Sequence, residues 1–363
     1  MMVQEGTSGT KLTVEWMEAV NEARSACASL ISTEPSQIAL VNNTTHGLGI
    51  IASSLVDLVP GDNVLVSDQE FPGGVTVWRS LSRDRGIEVR SVPTSGGRVE
   101  VSDFQKKADS RTAVLLVSAV QEVSGFRVDL RAFRDLASSL DALLLVDGIQ
   151  EVGAIPVDVN FSGVDAYCAG GHKWLRSPFG VGFLYLHPRL LDRLSPPYLG
   201  YLGFEDPPNG WEAYLRSYHR TTFDNTPIST QAKRLETGGI PNFTGSLALK
   251  HAVEELVAVG TDSVWERISS LTSRLREGLH LLGIDLVAQS KEVQDHGSES
   301  GIVCFSFPSG VKEEDRLMDF LESQKVFISL RRLSGIGGIR VSPHFDSSEA
   351  DIDRLLDILE NFV

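Results

Sequence analysis

Residues 165–185 read DAYCAGGHKWLRSPFGVGFLY, and they hold a conflict. Two short apolar runs, 165–168 and 182–186, have the length and the flanking turn residues of buried strands. Between them Lys173 stands between a histidine and a tryptophan, behind two glycines, Gly170 and Gly171, that allow a tight turn. Lysine ordinarily occupies a solvated face. Held in partly apolar surroundings it loses hydration, its pKa falls, and its amine becomes a nucleophile for a carbonyl carbon.

Working outward, the same kind of run recurs. Segments 38–41, 64–66, 89–92, 113–117 and 142–146 read as buried strands, and 46–58, 75–85 and 130–140 between them carry helical spacing. Such alternation predicts an α/β fold, a mostly parallel central sheet covered by helices. After RLETGGIPNFTG (234–245) the pattern changes to long helices at 246–259 and 263–282, strands at 301–307, 326–330 and 338–342, and a closing helix at 348–362. We therefore expect a large α/β domain over 13–244 and a smaller α+β domain over 245–363, with residues 1–12 an arm or part of the small domain. The irregular stretch 196–227, rich in Tyr, Pro, Gly and Trp, is long for a loop and is expected to form part of an interface.

Composition narrows the function. The chain has 363 residues, 42% hydrophobic and 22% charged, with a net charge of −15. That balance argues against nucleic acid, whose phosphates are met by Lys and Arg. Cys27, Cys168 and Cys304 are far apart and show no metal-ligand spacing, so buried free thiols are expected and no metal site. No apolar run approaches a membrane span and no secretory signal opens the sequence, so the expectation is a cytoplasmic protein without membrane contact.

In an open α/β sheet, ligands bind at the carboxyl ends of the strands. Thr44 and Thr45 follow the strand 38–41 where a helix begins, and free N–H groups with two hydroxyls suit a phosphate. Asp147 ends the strand 142–146, with Gln150 three residues on, and Phe71 follows the strand 64–66. Lysine, acid and phosphate cradle together are what pyridoxal 5'-phosphate requires: a Schiff-base amine, a partner for the pyridinium nitrogen and an anion site. Phe71 offers a flat face to a ring.

VDGIQEVGAIPVDV (146–159) followed by 165–185 resembles the class V aminotransferase family of fold type I pyridoxal-phosphate enzymes, as do NNTTHGLG, DQEFP, VSAVQEVSGFRVDL, RLETGGIPNF and IRVSPHF in that order. The resemblance implies that Lys173 forms the Schiff base and shuttles protons, that Asp147 pairs with the pyridinium nitrogen, and that Gln150 bonds the ring hydroxyl. It implies Thr44, Thr45 and His172 as phosphate ligands and Phe71 as the stacking ring. Gly239 and Ile240 would approach the phosphate of a second subunit, which implies a homodimer with shared sites. Arg340 would clamp the carboxylate of a small amino-acid substrate. Glu122 stands near the ring hydroxyl where desulfurases of the family carry an asparagine. Gly170 and Ile240 replace a serine and a threonine.

Family desulfurases also need a mobile cysteine shortly before that arginine, and SQKVFISLRRLSGIGGIR (323–340) has none. The leading expectation is therefore an aminotransferase and not a cysteine desulfurase. An α,β-lyase (C–S lyase) or an epimerase of the same family is the alternative. A nucleotide-binding oxidoreductase is disfavoured because NNTTHGLG lacks G-x-G-x-x-G. A non-catalytic homologue is disfavoured by intact Lys173, Asp147 and Arg340.

Overall fold

The computed structural model describes residues 13–219, 226–236, 239–288, 296–307 and 310–362. The expected arm over 1–12 lies outside them, as does part of the 196–227 stretch.

Seven strands form the large sheet: β1 (Ile38–Val41), β2 (Asn63–Ser67), β3 (Glu88–Val92), β4 (Thr112–Ser118), β5 (Leu143–Asp147), β6 (Ala166–Gly170) and β7 (Gly182–Leu186). Their order is β1-β7-β6-β5-β4-β2-β3. β2 to β6 run parallel, while β7 is antiparallel to both β6 and β1. The strands read as unbroken apolar runs because both faces are buried. In β5, Leu144 and Val146 point into one core while Leu143 and Leu145 point into the other, and β4 alternates likewise.

Helices cover the two faces. α1 (Thr13–Leu30), α4 (Val101–Lys107) and α5 (Leu130–Ser139) pack on one face, where Phe104 meets Phe133 edge to face at 4.9 Å. α2 (Thr44–Ser54) and α3 (Pro72–Arg85) pack on the other, around the fully buried Trp78. Neither α1 nor α4 was expected from the sequence: much of the buried stripe of α1 is small, Ala19, Ala23, Cys27 and Ala28, and α4 is short, with Phe104 buried. α2 begins two residues before the expected start because the Asn43 side chain accepts from His46 N at 2.9 Å and caps it there.

A second sheet has the order β10-β11-β9-β8, all antiparallel: β8 (Asp285–Leu286), β9 (Val303–Ser306), β10 (Ser329–Leu333) and β11 (Ile336–Val341). With α7 (Thr261–Leu281), α8 (Val311–Ser323) and α9 (Glu349–Phe362) it encloses a third core around Phe305 and Ile339. β10 starts three residues later than its apolar run suggests. Its register is set by the hairpin, whose two turn residues Ser334 and Gly335 have φ of 50° and 80°, the paired positive values of a type I′ turn. α6 (Phe243–Val259) buries Leu249, Val253 and Leu256 in the core of the large sheet, beside α1.

Candidate active site

The carboxyl ends of β1, β2, β4, β5 and β6 lie along one edge of the large sheet, because β7 doubles back between β6 and β1 and leaves their directions alike. Each end delivers one or two polar side chains there.

β5 delivers Asp147, 5% exposed, whose Oδ1 accepts from Ile149 N at 3.0 Å. The chain then passes over Tyr167, and Gly148 makes that possible: a Cβ there would stand 2.0 Å from the Tyr167 ring. Burial pushes the Asp147 carboxyl up to about 6; the Ile149 amide and the Lys173 charge oppose this and Glu122 adds to it. Gln150, also buried, accepts from Trp174 Nε1 at 3.1 Å, and its Nε2 is buried without a partner among the described residues. An unmet buried donor costs about 1–3 kcal/mol, so it marks a place for an acceptor.

β6 delivers His172 and Lys173. Lys173 is half-buried, with Nζ 6.0 Å from the centroid of the Phe71 ring. Burial lowers its pKa; Asp147 and Glu122 pull it back, and Arg340 and Arg331 add to the lowering. His172 stacks on Phe179 with centroids 4.8 Å apart, and burial, then the Lys173 charge, lowers its pKa. Trp174 stacks on His344, whose Nε2 lies 3.0 Å from Trp174 O, so a ring from the small-sheet region braces the lysine turn.

β1 leads into α2. Thr44 is buried, and its Oγ1 accepts from Gly170 N at 3.0 Å, tying the start of α2 to the end of β6. Thr45, one residue on, is exposed at the helix start. Phe71, 47% exposed, is the N-cap of α3. Gly239 has no atom within 4 Å of where a Cβ would stand, and Ile240 is 70% exposed. Among the described residues, no hydrogen bond or ion pair joins either of them to the Lys173 cluster.

Arg340 reaches across from β11. Its Nη1 donates to Glu122 O at 2.7 Å and lies 3.8 Å from the Glu122 carboxylate, while its Nε is buried with no partner among the described residues. Burial lowers its pKa, and the Arg331 charge adds to this. Phe71, Glu122, Asp147, Lys173 and Arg340 thus come together from four different loops and a second sheet.

One residue of this cluster escaped the sequence reading. Glu70 is 6% exposed, its Oε1 accepting from Ser118 N at 2.9 Å and its Oε2 paired with Ser118 Oγ at 2.6 Å. Ser118 is the register partner of Asp147 on the adjacent strand, which sets two buried carboxyls side by side. Burial pushes Glu70 up to about 7, with Asp147 adding to the rise and the Ser118 bonds opposing it. An acid between a strand and a proline-led helix reads as an ordinary cap, so nothing local marks it.

The chain is similar to proteins of several activities. Isopenicillin N epimerase of Streptomyces clavuligerus is 27% identical over 345 residues, 93% of this chain and 83% of that protein. The apo cysteine desulfurase of Thermococcus onnurineus NA1 superposes with a TM-score of 0.83 at 21% identity, covering 97% of this chain and 86% of its own. Two structures of the cystine C–S lyase C-DES, 23% and 24% identical with TM-scores of 0.83 and 0.82, cover 97% and 96% of this chain and 87% and 88% of theirs. One holds glycine covalently linked to the PLP cofactor, the other the reaction product cysteine persulfide. The family model for class-V aminotransferases matches residues 3–355, and the chain belongs to the class-V aminotransferase family.

Proposed function

We propose that this chain is a pyridoxal-phosphate enzyme acting on an amino acid, with aminotransferase as its leading activity. Pyridoxal 5'-phosphate is the cofactor of the family, and the residues fit it. The observation that carries the reading is the partly desolvated Lys173 amine, 6.0 Å from the Phe71 ring and within the fields of Asp147, Glu122 and Arg340. The unmet Gln150 Nε2 supplies a donor for a ring oxygen, Asp147 a buried acid for the ring nitrogen, and Thr44, Thr45 and His172 the phosphate cradle at the start of α2. When bound, the cofactor draws electron density from the substrate's α-carbon.

The chain's own residues do the rest. Arg340 takes the α-carboxylate, for which its unpartnered Nε and its loose 3.8 Å pairing with Glu122 leave room. Lys173, with its depressed pKa, holds and moves the proton at the α-carbon. Elimination and epimerisation share these roles. The α,β-lyase is the second reading, favoured by the likeness to C-DES.

We place the chain outside the persulfide-forming desulfurases. All three cysteines are buried, burial pushes the Cys27 and Cys304 thiols up to about 12, and the segment 323–340 before and including Arg340 holds no cysteine. We also propose a homodimer in the cytoplasm. The open face at Gly239 and the exposed Ile240 support a surface offered to a second subunit.

The test is a panel of amino acids given to the cofactor-loaded protein, with products identified as keto acid, cleavage product or inverted enantiomer. A keto acid from an intact carbon skeleton is expected. Lys173→Ala should lose the near-ultraviolet to blue absorption of the bound cofactor and all turnover, and a Lys173→Ala protein with full activity would end the assignment.

A further inference from the structure

Arg340 has a neighbour of the same charge. In the hairpin, Ser329 stands opposite Arg340 and Arg331 opposite Gly338. Residues two apart on a strand share a face, so Ser329, Arg331, Gly338 and Arg340 project to one side. That side is turned to the large sheet, since Arg340 donates to Glu122 O, and Ser334 at the hairpin tip donates to Asp68 O at 2.8 Å. The opposite face carries Leu330 and Ile339 to the small core, and Arg332, which Glu314 and Asp315 hold. Diagonal neighbours across antiparallel strands are about 7–8 Å apart, and Gly338 puts no side chain in front of Arg331.

Arg331 differs from Arg340 in having no acid. It is exposed, its Nη1 donates to Leu330 O at 2.9 Å, and among the described residues no carboxylate pairs with it. Its charge still reaches the site, for it lowers the pKa of both Lys173 and Arg340. Two guanidinium groups therefore face the same opening, and among the described residues Glu122, paired with Arg340, is the one carboxylate that an ion pair joins to either of them.

We propose that Arg331 reads a second anion beside Arg340, and that the substrates are amino acids whose side chain ends in a carboxylate. The inference rests on the proposed function: the α-carboxylate lies at Arg340 and the side-chain carboxylate, a short aliphatic spacer away, at Arg331. A neutral side chain leaves the two like charges uncompensated, whereas a second carboxylate gives Arg331 the planar bidentate partner its geometry suits.

Calorimetric titration of the cofactor-loaded protein with glutarate and with butyrate tests this without turnover, since neither acid carries an amino group. Glutarate should bind at least about tenfold more tightly, and Arg331→Ala should bring that ratio within about twofold of one, with Arg331→Lys restoring part of it. The Michaelis constants of glutamate and glutamine should show the same ratio and the same collapse. Equal binding of the two acids to the unmodified protein, as when an acid of a second subunit neutralises Arg331, overturns the inference; so does a ratio that survives both Arg331→Ala and Arg331→Gln. If neutral amino acids turn over but glutarate has no advantage, only this inference fails. If no amino acid turns over or perturbs the cofactor's absorption, the proposed function fails with it.

Discussion

Glu70 and Asp147 show how a single buried residue sets the chemistry around it. Burial raises both carboxyls, Glu70 to about 7 and Asp147 to about 6, and a nearby carboxylate adds to each rise: Asp147 for Glu70, and Glu122 for Asp147. Around them stand Ser67, Ser118, Cys168, Lys173 and Glu122, of which Lys173 is the nearby cation. For Glu70 the folded state holds the proton more tightly than the unfolded chain, whose glutamate titrates near 4.5. Stability of the cofactor-free protein is therefore full below about pH 4.5 on this account and declines as pH rises to about 7. At about 1.4 kcal/mol per unit the decline from Glu70 is roughly 3 kcal/mol. Glu70→Gln should flatten the fall in melting temperature between pH 5 and 8; a fall as steep as that of the unmodified protein would mean that Glu70 does not titrate in this range. Cys304 gives a second prediction at this scale. It is 2% exposed opposite Arg340 on β9, with its thiol pushed up to about 12 by burial. Cys304→Ala should keep most turnover, and a variant that binds cofactor yet no longer releases sulfur from cysteine would return the chain to the desulfurases.

At the scale of the element, the β10–β11 hairpin carries Arg340 to the large sheet and depends on glycine to do so. Gly338 has φ of 156°, and a Cβ there would stand 2.1 Å from Phe305 O on β9. The strands could not keep their spacing with any side chain at that point. Gly338→Ala should cost about 2 kcal/mol or more through strain and lost pairing. It should also weaken carboxylate binding, because Arg340 lies two residues along the same strand. Thermal melts and butyrate titration check this together. A variant with the parent melting temperature and affinity would mean that β9 and β11 separate at no cost.

For the whole molecule, the exposed Ile240 and open Gly239 lead to the expectation of a dimer at assay concentration, which sedimentation velocity measures. A fully active monomer would contradict it. Much of the large sheet was legible in the sequence because strands buried on both faces must be apolar throughout, as Leu143–Asp147 is up to its last residue. Lys173 and Asp147 stand out in the sequence because each is a polar group at or just past the end of an apolar strand. The antiparallel sense of β7 was not legible, since strand direction depends on how the link after Lys173 folds back and not on the composition of the strand. The pairing of Glu70 with Ser118 joins residues 48 apart, and that of Arg340 with Glu122 joins residues 218 apart. Such contacts exist only once two sheets and their loops are packed. Local pattern determined most of the segments that are strands and marked Lys173 and Asp147; tertiary packing alone decided which charges share a dry site and that, among the described residues, no carboxylate pairs with Arg331.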